Sequence, residues 1–353
     1  MKKMLLNVYL FCFWLLPLTA DSLRLIAVGH RQSTEASLTY TTWFNQFNRT
    51  DLYQIRSHEP TLLVFGELTG LTSAFIGTRG QDARTQLGTI ENAFSLLAKS
   101  YEKQISSYLN KYPNISLTTA LELSLSDVMW RAFNQTFSSL ARSLNATIVS
   151  ATFGPRIISS TDPKDIELYG DPDLCPNQTE VYIPLTKEIY NTAHVYASNG
   201  SLPSFNTQMW AANISASESI WQPLDWTNGP LALFQKTKNI QFSINPMVTG
   251  NLFDDMIVDG QSTINQRLPR GTRPLNETDD LYIGLDLVDV QYISEFKTLA
   301  LARWARDDPR GGNLTKQERR LLLHQYALEL APNSKSKNEN NYADTVIWSD
   351  VTY

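Results

Sequence analysis

The chain has 353 residues, 42% of them hydrophobic, and 35 acidic against 30 basic side chains give a net charge of −5. That length and apolar content supply a core for one large domain or two medium ones. With no basic field over the chain, nucleic acid is excluded as a partner class.

The first element in chain order is a leader. Lys2 and Lys3 precede an apolar stretch from Met4 to Leu16, interrupted by Asn7. Pro17 then bends the chain, and Leu18, Thr19 and Ala20 offer a small-residue exit before Asp21. Charged, apolar, small is the order of a secretory signal peptide, assigned to residues 1–20. The apolar run is too short to span a bilayer comfortably, and no other run reaches that length, so no stable membrane span is expected. The chain is thus expected outside the cell or in the lumen of the secretory pathway. Asn-X-Ser/Thr sequons agree, at Asn48, Asn114, Asn134, Asn145, Asn177, Asn199, Asn213, Asn276 and Asn313. An occupied sequon must face solvent, because a glycan cannot be buried. Cys12 lies in the leader, which leaves Cys175 alone and excludes a disulfide scaffold within one chain. His30, His58, His194 and His324 are far apart in sequence and form no zinc-type cluster with it, so no metal or cofactor is expected.

Leu23 to His30 is an apolar, β-rich run read as a buried strand. Leu38 to Tyr53 has helical spacing, and His58, Glu59 and Pro60 make a turn. Thr61 to Phe65 reads as a second buried strand, with Gly66 and Glu67 at its C-terminal end. Ile90 to Tyr112 is an amphipathic helix closed by Pro113, and Leu117 to Leu144 is a second helical region. Further strands are expected at Ala146–Thr152, Thr179–Ile183, Tyr190–Tyr196 and Gln241–Ile244. Glu295–Arg306 and Lys316–Ala331 have helical spacing, and Asn333–Asp344 is polar and expected to be mobile. Strands alternating with helices imply an α/β fold. With no repeat or clean linker, one domain is assigned to residues 21–332, followed by a polar C-terminal tail at 333–353.

In open α/β sheets, functional groups gather beyond the carboxyl ends of the strands, which is where Glu67 lies. The segment Leu62–Gly70 resembles the nitrilase motif of an apolar strand followed by a Pro-Glu pair, with Gly66 where proline is usual. Tyr190–Gly200 is similar to that family's "Asn-x-Ala, apolar strand, Asp-Gly" element. Asn245–Gly250 and Asp259–Ile264 look like its late "Asn … Gly-x-Ser" strands. The resemblance covers roughly residues 23 to 270, and its weight comes from four motifs in the right order. It implies a nitrilase-like α-β-β-α sandwich and a carbon–nitrogen hydrolase of the amidase or nitrilase type, acting on a small amide or nitrile without cofactor or metal. In that chemistry a glutamate base raises the nucleophilicity of a cysteine thiol, and a lysine stabilises the oxyanion. Glu67 matches the base. Family members associate through their sheets and C-terminal segments, which leaves a homo-oligomer open.

The other two catalytic groups have no counterpart. The family's lysine should follow the turn at Asn199 and Gly200, yet the chain has no lysine between Lys187 and Lys236. No cysteine follows Cys175, which sits in the turn-rich loop Gly170–Asn177, too early to be the nucleophile. Ser204 runs straight on to Trp210 where the family has several elements, an internal deletion that makes the sandwich incomplete. Other features read as structural. Gly77–Gly80 is no phosphate loop, and no G-x-S-x-G elbow exists. His194 alternates with apolar residues and suits a core. Asp254 and Asp255 fit a solvated turn, and Trp210, Trp221 and Trp226 fit core packing. Three functions stay open: a secreted hydrolase, a catalytically inactive relative that binds or has no retained activity, and an unrelated secreted α/β glycoprotein. Reading the transcript across the codons for Ser204 to Trp210 separates the first two. An extra in-frame segment with a lysine and then a cysteine restores thiol catalysis, and the junction as written removes it.

Overall fold

The computed structural model describes residues 22–86, 88–202, 239–253, 256–258, 262–267, 296–302 and 344–352, with short strand pieces at 6–7, 207–208 and 212–213. Its centre is set by three apolar runs that bury both faces. In β1 (Ser22–Arg31), Leu23, Leu25 and Ala27 point to one side, and Ile26 and Val28 to the other. β2 (Thr61–Phe65) repeats the pattern with Leu62 and Val64 against Leu63 and Phe65. β3 (Thr147–Gly154) does so with Val149 and Ala151 against Ile148. Successive side chains of a strand face opposite ways, so an unbroken apolar run demands cover on both sides.

The three strands are parallel, in the order β1-β2-β3, with Arg24 opposite Thr61 and Leu62 opposite Thr147. Two short strands, β4 (Ile157–Ser160) and β5 (Val181–Pro184), pair with each other apart from this sheet. β6 (Tyr190–Tyr196) returns antiparallel to β3, and β7 (Thr207–Gln208) follows on its far side. Later segments supply β8 (Phe242–Asn245), β9 (Val248–Phe253), β10 (Met256–Val258), β11 (Thr263–Arg267), β12 (Phe296–Leu301) and β13 (Thr345–Thr352). β9 joins β1 in parallel at His30 and Arg31 and turns back into β10. β13 lies antiparallel along the rest of that edge, from Ser22 opposite Thr352 to Gly29 opposite Thr345. The main sheet is therefore mixed, and the fold is α/β.

One face of the sheet is covered by helices: α1 (Tyr40–Asn45), α2 (Thr50–Gln54), α3 (Gln81–Thr85), α4 (Ile90–Ser100), α5 (Glu102–Lys111), α6 (Leu117–Ser124) and α7 (Ser126–Leu144). α8 (Pro163–Tyr169) lies beyond them in sequence. α7 ends at Asn145 in the left-handed conformation, where the Ala146 amide reaches back to the Ala141 carbonyl. The opposite face meets a second antiparallel sheet, β8-β11-β12, whose Phe242 and Ile264 pack on Leu25, Val64 and Val149.

Several elements differ from their sequence reading. Residues 38–53 form two short helices around a buried Phe47 instead of one helix. The 90–112 helix breaks at Tyr101, which is buried with the Arg79 guanidinium 4.8 Å over its ring. Phe296–Leu301, expected within a helix, is strand β12. Its pairing with β11, from Thr263 opposite Leu301 to Arg267 opposite Phe296, overrides a weak helical preference. Thr345–Thr352, at the end of the polar tail, is ordered as β13, and the helix expected at Lys316–Ala331 lies outside the described residues.

The helical layer is keyed by aromatic packing. Phe137 of α7 has ring centroids of Phe133, Phe65 and Phe47 at 4.7, 5.0 and 5.3 Å, and Trp43 at 6.4 Å. Removing such a ring leaves a cavity that its neighbours cannot fill. Phe137→Ala is expected to cost about 3–5 kcal/mol in urea unfolding. The exposed Leu117→Ala is expected to cost less than about 1 kcal/mol.

Candidate functional site

β2 ends at Phe65, and Gly66 is extended before the chain tightens into a short 3-10 segment, Glu67–Phe75. Glycine is required at that corner because β9 crosses it: a Cβ on Gly66 would lie 2.5 Å from Val248 Cγ2. The turn is fixed by Thr69 and Ser73, whose hydroxyls donate to the Gly66 and Gly70 carbonyls at 2.6 Å. Trp43 Nε1 donates to Thr72 Oγ1 at 3.1 Å, and Gly70 lies against Thr152 and Phe133, so helices and β3 hold the segment from both sides.

Glu67 is 7% exposed. Its Oε1 accepts a hydrogen bond from Asn191 Nδ2 on β6. Its Oε2 is buried without a partner. Burial pushes the carboxyl from the ordinary 4.5 up to about 8, and the Asn191 bond opposes that rise. A carboxyl in this range can hold or release a proton near neutral pH. β9 closes the corner: the His30 amide donates to the Met247 carbonyl at 3.2 Å and the Gln32 amide to the Thr249 carbonyl at 2.8 Å. Ser262 Oγ then accepts from the Met247 amide at 3.0 Å. Residues from all four motif segments thus border the C-terminal ends of β1 and β2, while Asp259, Gly260 and Gln261 lie outside the described residues.

The remaining candidates lie elsewhere. His194 packs its ring 5.0 Å from Trp130 and 5.5 Å from Phe133, and burial pulls its imidazole from 6.5 down to about 4. It is a core residue, as its alternation with apolar neighbours suggests. Cys175 is exposed. Its loop is tied down by carboxylates whose roles the sequence does not announce. Asp171 accepts from Tyr40 Oη at 2.6 Å, and Asp173 from the Thr78 amide at 2.6 Å. Asp127 accepts from Arg131 at 2.8 Å, from the Tyr182 amide at 2.8 Å and from Gln178 at 3.0 Å. The four-residue spacing of Asp127 and Arg131 on a helix was the available signal. Asp254, Asp255, Trp210, Trp221 and Trp226 lie outside the described residues. Among the described residues, no group of three or more His, Cys, Asp or Glu is placed to hold a metal, and no helix is long and apolar enough to cross a membrane.

Of the sequons, Asn48, Asn114, Asn145, Asn177 and Asn199 are exposed, and Asn134 on α7 is half-buried. Asn213 falls in a strand piece whose side chains are not described, and Asn276 and Asn313 lie outside the described residues. Asn48 and the end of α7 are neighbours, because the Tyr53 hydroxyl bonds both Asn48 Oδ1 (2.7 Å) and Ser143 Oγ (3.2 Å). No protein-family model matches the chain, and no curated protein is significantly similar to it.

Glu67 and His194 tilt stability in opposite directions with pH. The raised carboxyl stabilises the fold fully below about 4.5, and that contribution fades as pH rises to about 8. The depressed imidazole leaves the fold intact above 6.5 and costs stability as pH falls toward 4. Urea unfolding across pH 4–9 should show Glu67→Gln flattening the alkaline limb, by an amount on the order of a few kcal/mol. His194→Gln should flatten the acid limb.

Proposed function

We propose that this chain is a secreted, N-glycosylated protein on the nitrilase-type carbon–nitrogen hydrolase scaffold, an amidase or nitrilase by ancestry, with Glu67 as its general base. The Glu67–Asn191 hydrogen bond carries the reading. It joins residues 124 positions apart, each singled out by likeness to a different motif of that family. A base that titrates near neutral pH suits proton abstraction from a weak nucleophile. Helices, a mixed sheet and a second antiparallel sheet are three of the four layers that an α-β-β-α sandwich requires. The substrate class is a small amide or nitrile.

A second reading is favoured by the missing thiol. Cys175 is exposed on its tethered loop while Glu67 is buried, and no cysteine follows it. On that reading the scaffold holds a small ligand without cleaving it. The test is ammonia release from a panel of short amides and nitriles by the purified glycoprotein and by Glu67→Gln. Turnover that falls by about 10²-fold or more in Glu67→Gln supports the hydrolase. No turnover from a folded wild-type chain supports the binding protein. Turnover that ignores Glu67→Gln removes Glu67 from the chemistry.

A further inference from the structure

Glu67 and Asn191 meet from two frames that are each fixed without them. β6 runs along β3 in continuous antiparallel register, from Ile148 opposite Tyr196 to Gly154 opposite Tyr190. Asn191, opposite Phe153, is therefore held by a backbone ladder and not by a loop. The Glu67–Phe75 segment is pressed onto the same ladder. Gly70 packs so closely on Thr152 that a Cβ there would collide with its Oγ1, and Thr152 stands opposite Thr192, the neighbour of Asn191. With both backbones fixed, the amide meets one oxygen of the carboxyl and not the other. Asn191 Nδ2 donates to Oε1, while Oε2 is buried with no hydrogen-bond partner among the described residues. No charged side chain among the described residues acts on the carboxyl, so the amide is the counterweight to burial.

This one-sided contact makes the two oxygens unequal. The amide N–H donates and can take up no proton. An acid proton on Oε1 would make that oxygen a poorer acceptor, whereas a proton on Oε2 leaves the bond intact. The same N–H favours the ionised carboxyl over the neutral one, because a hydrogen bond to a charged acceptor is the stronger. We infer that Asn191 is a positioning residue for Glu67, holding Oε1 as a standing acceptor and leaving Oε2 as the oxygen that takes up and releases the proton. The inference rests on the reading of Glu67 as a base and adds which oxygen acts and which neighbour selects it. An amide that only braced β6 or the Glu67 turn would not follow the charge of the carboxyl.

The test is nuclear magnetic resonance of the full chain, following the Glu67 carboxyl carbon and the Asn191 side-chain amide from about pH 5 to about pH 11. The carboxyl signal is identified by its loss in Glu67→Gln. In the wild type both signals are expected to move with one midpoint, at about 8, and the amide should stop titrating in Glu67→Gln. Asn191→Ala, checked for fold by circular dichroism, should raise the carboxyl midpoint by about one to two pH units, the worth of one hydrogen bond to a charged group. Asn191→Asp keeps the shape of the side chain and carries the test if the alanine variant does not fold. There the last proton of the carboxyl pair should leave only above the wild-type midpoint. An unmoved or lowered midpoint in these variants overturns the inference, as does a wild-type Asn191 amide that ignores pH. Ammonia release from amides and nitriles reports separately. Where the wild type turns substrate over, Asn191→Ala should move the acid limb of the pH–rate profile upward with the carboxyl midpoint. The expected titration without turnover sinks only the hydrolase, and turnover with an unmoved midpoint sinks only the role of Asn191.

Discussion

Everything in this fold leans on β1. It is buried on both faces and bonded along both edges, to β2 on one side and to β13 and β9 on the other. Backbone groups in such a strand must pair in register, since none can turn to water instead. That register fixes where β2 stops, hence where Gly66 turns and where Glu67 emerges. It also fixes where β9 can begin, because β13 occupies the edge up to Gly29 and β9 takes the edge at His30 and Arg31. The crowded corner in which Val248 meets Gly66 follows from those two facts.

The handover between β13 and β9 is held by charge. Asp344, just before β13, accepts from the Arg31 amide at 2.7 Å and lies 3.4 Å from His30 Nδ1 and 3.3 Å from Arg49. Burial works to raise this carboxyl, yet the His30, Arg49 and Arg31 contacts hold it below the usual range. At the other end of the strand Asp350 takes both oxygens to Arg24, at 2.7 and 2.6 Å, and Trp348 lies under the same guanidinium. β13 buries little beyond Val351, so these clasps and the backbone ladder, more than a core, keep it in place.

The parts of the fold that were legible in the sequence are those where burial writes a pattern. Leu23–His30 and Thr61–Phe65 are apolar runs of strand length, Tyr190–Tyr196 sets His194 between apolar neighbours, and all three are strands. Phe296–Leu301 was not legible. Its six residues fit either periodicity, and the deciding partner, Thr263–Arg267, is a separate segment of chain. In the site, the position of Glu67 beyond β2 could be read from the strand before it. That Asn191 would be the residue to meet it depends on β6 returning antiparallel along β3, which no local pattern states. The tethering of the Cys175 loop is equally tertiary. Asp127, Asp171 and Asp173 look like ordinary surface charges until Tyr182, Tyr40 and Thr78 are brought to them.

The pairing of Arg24 with Asp350 spans 326 residues. At a synthesis rate of roughly 5–20 residues per second, the first strand emerges tens of seconds before its C-terminal neighbour exists. Through that interval one flank of the nascent sheet is an open, apolar β-template, the kind of surface on which chains aggregate or chaperones settle. Completion of the sheet edge waits through that interval, until Thr345–Thr352 is made and folds back over Ser22–Gly29.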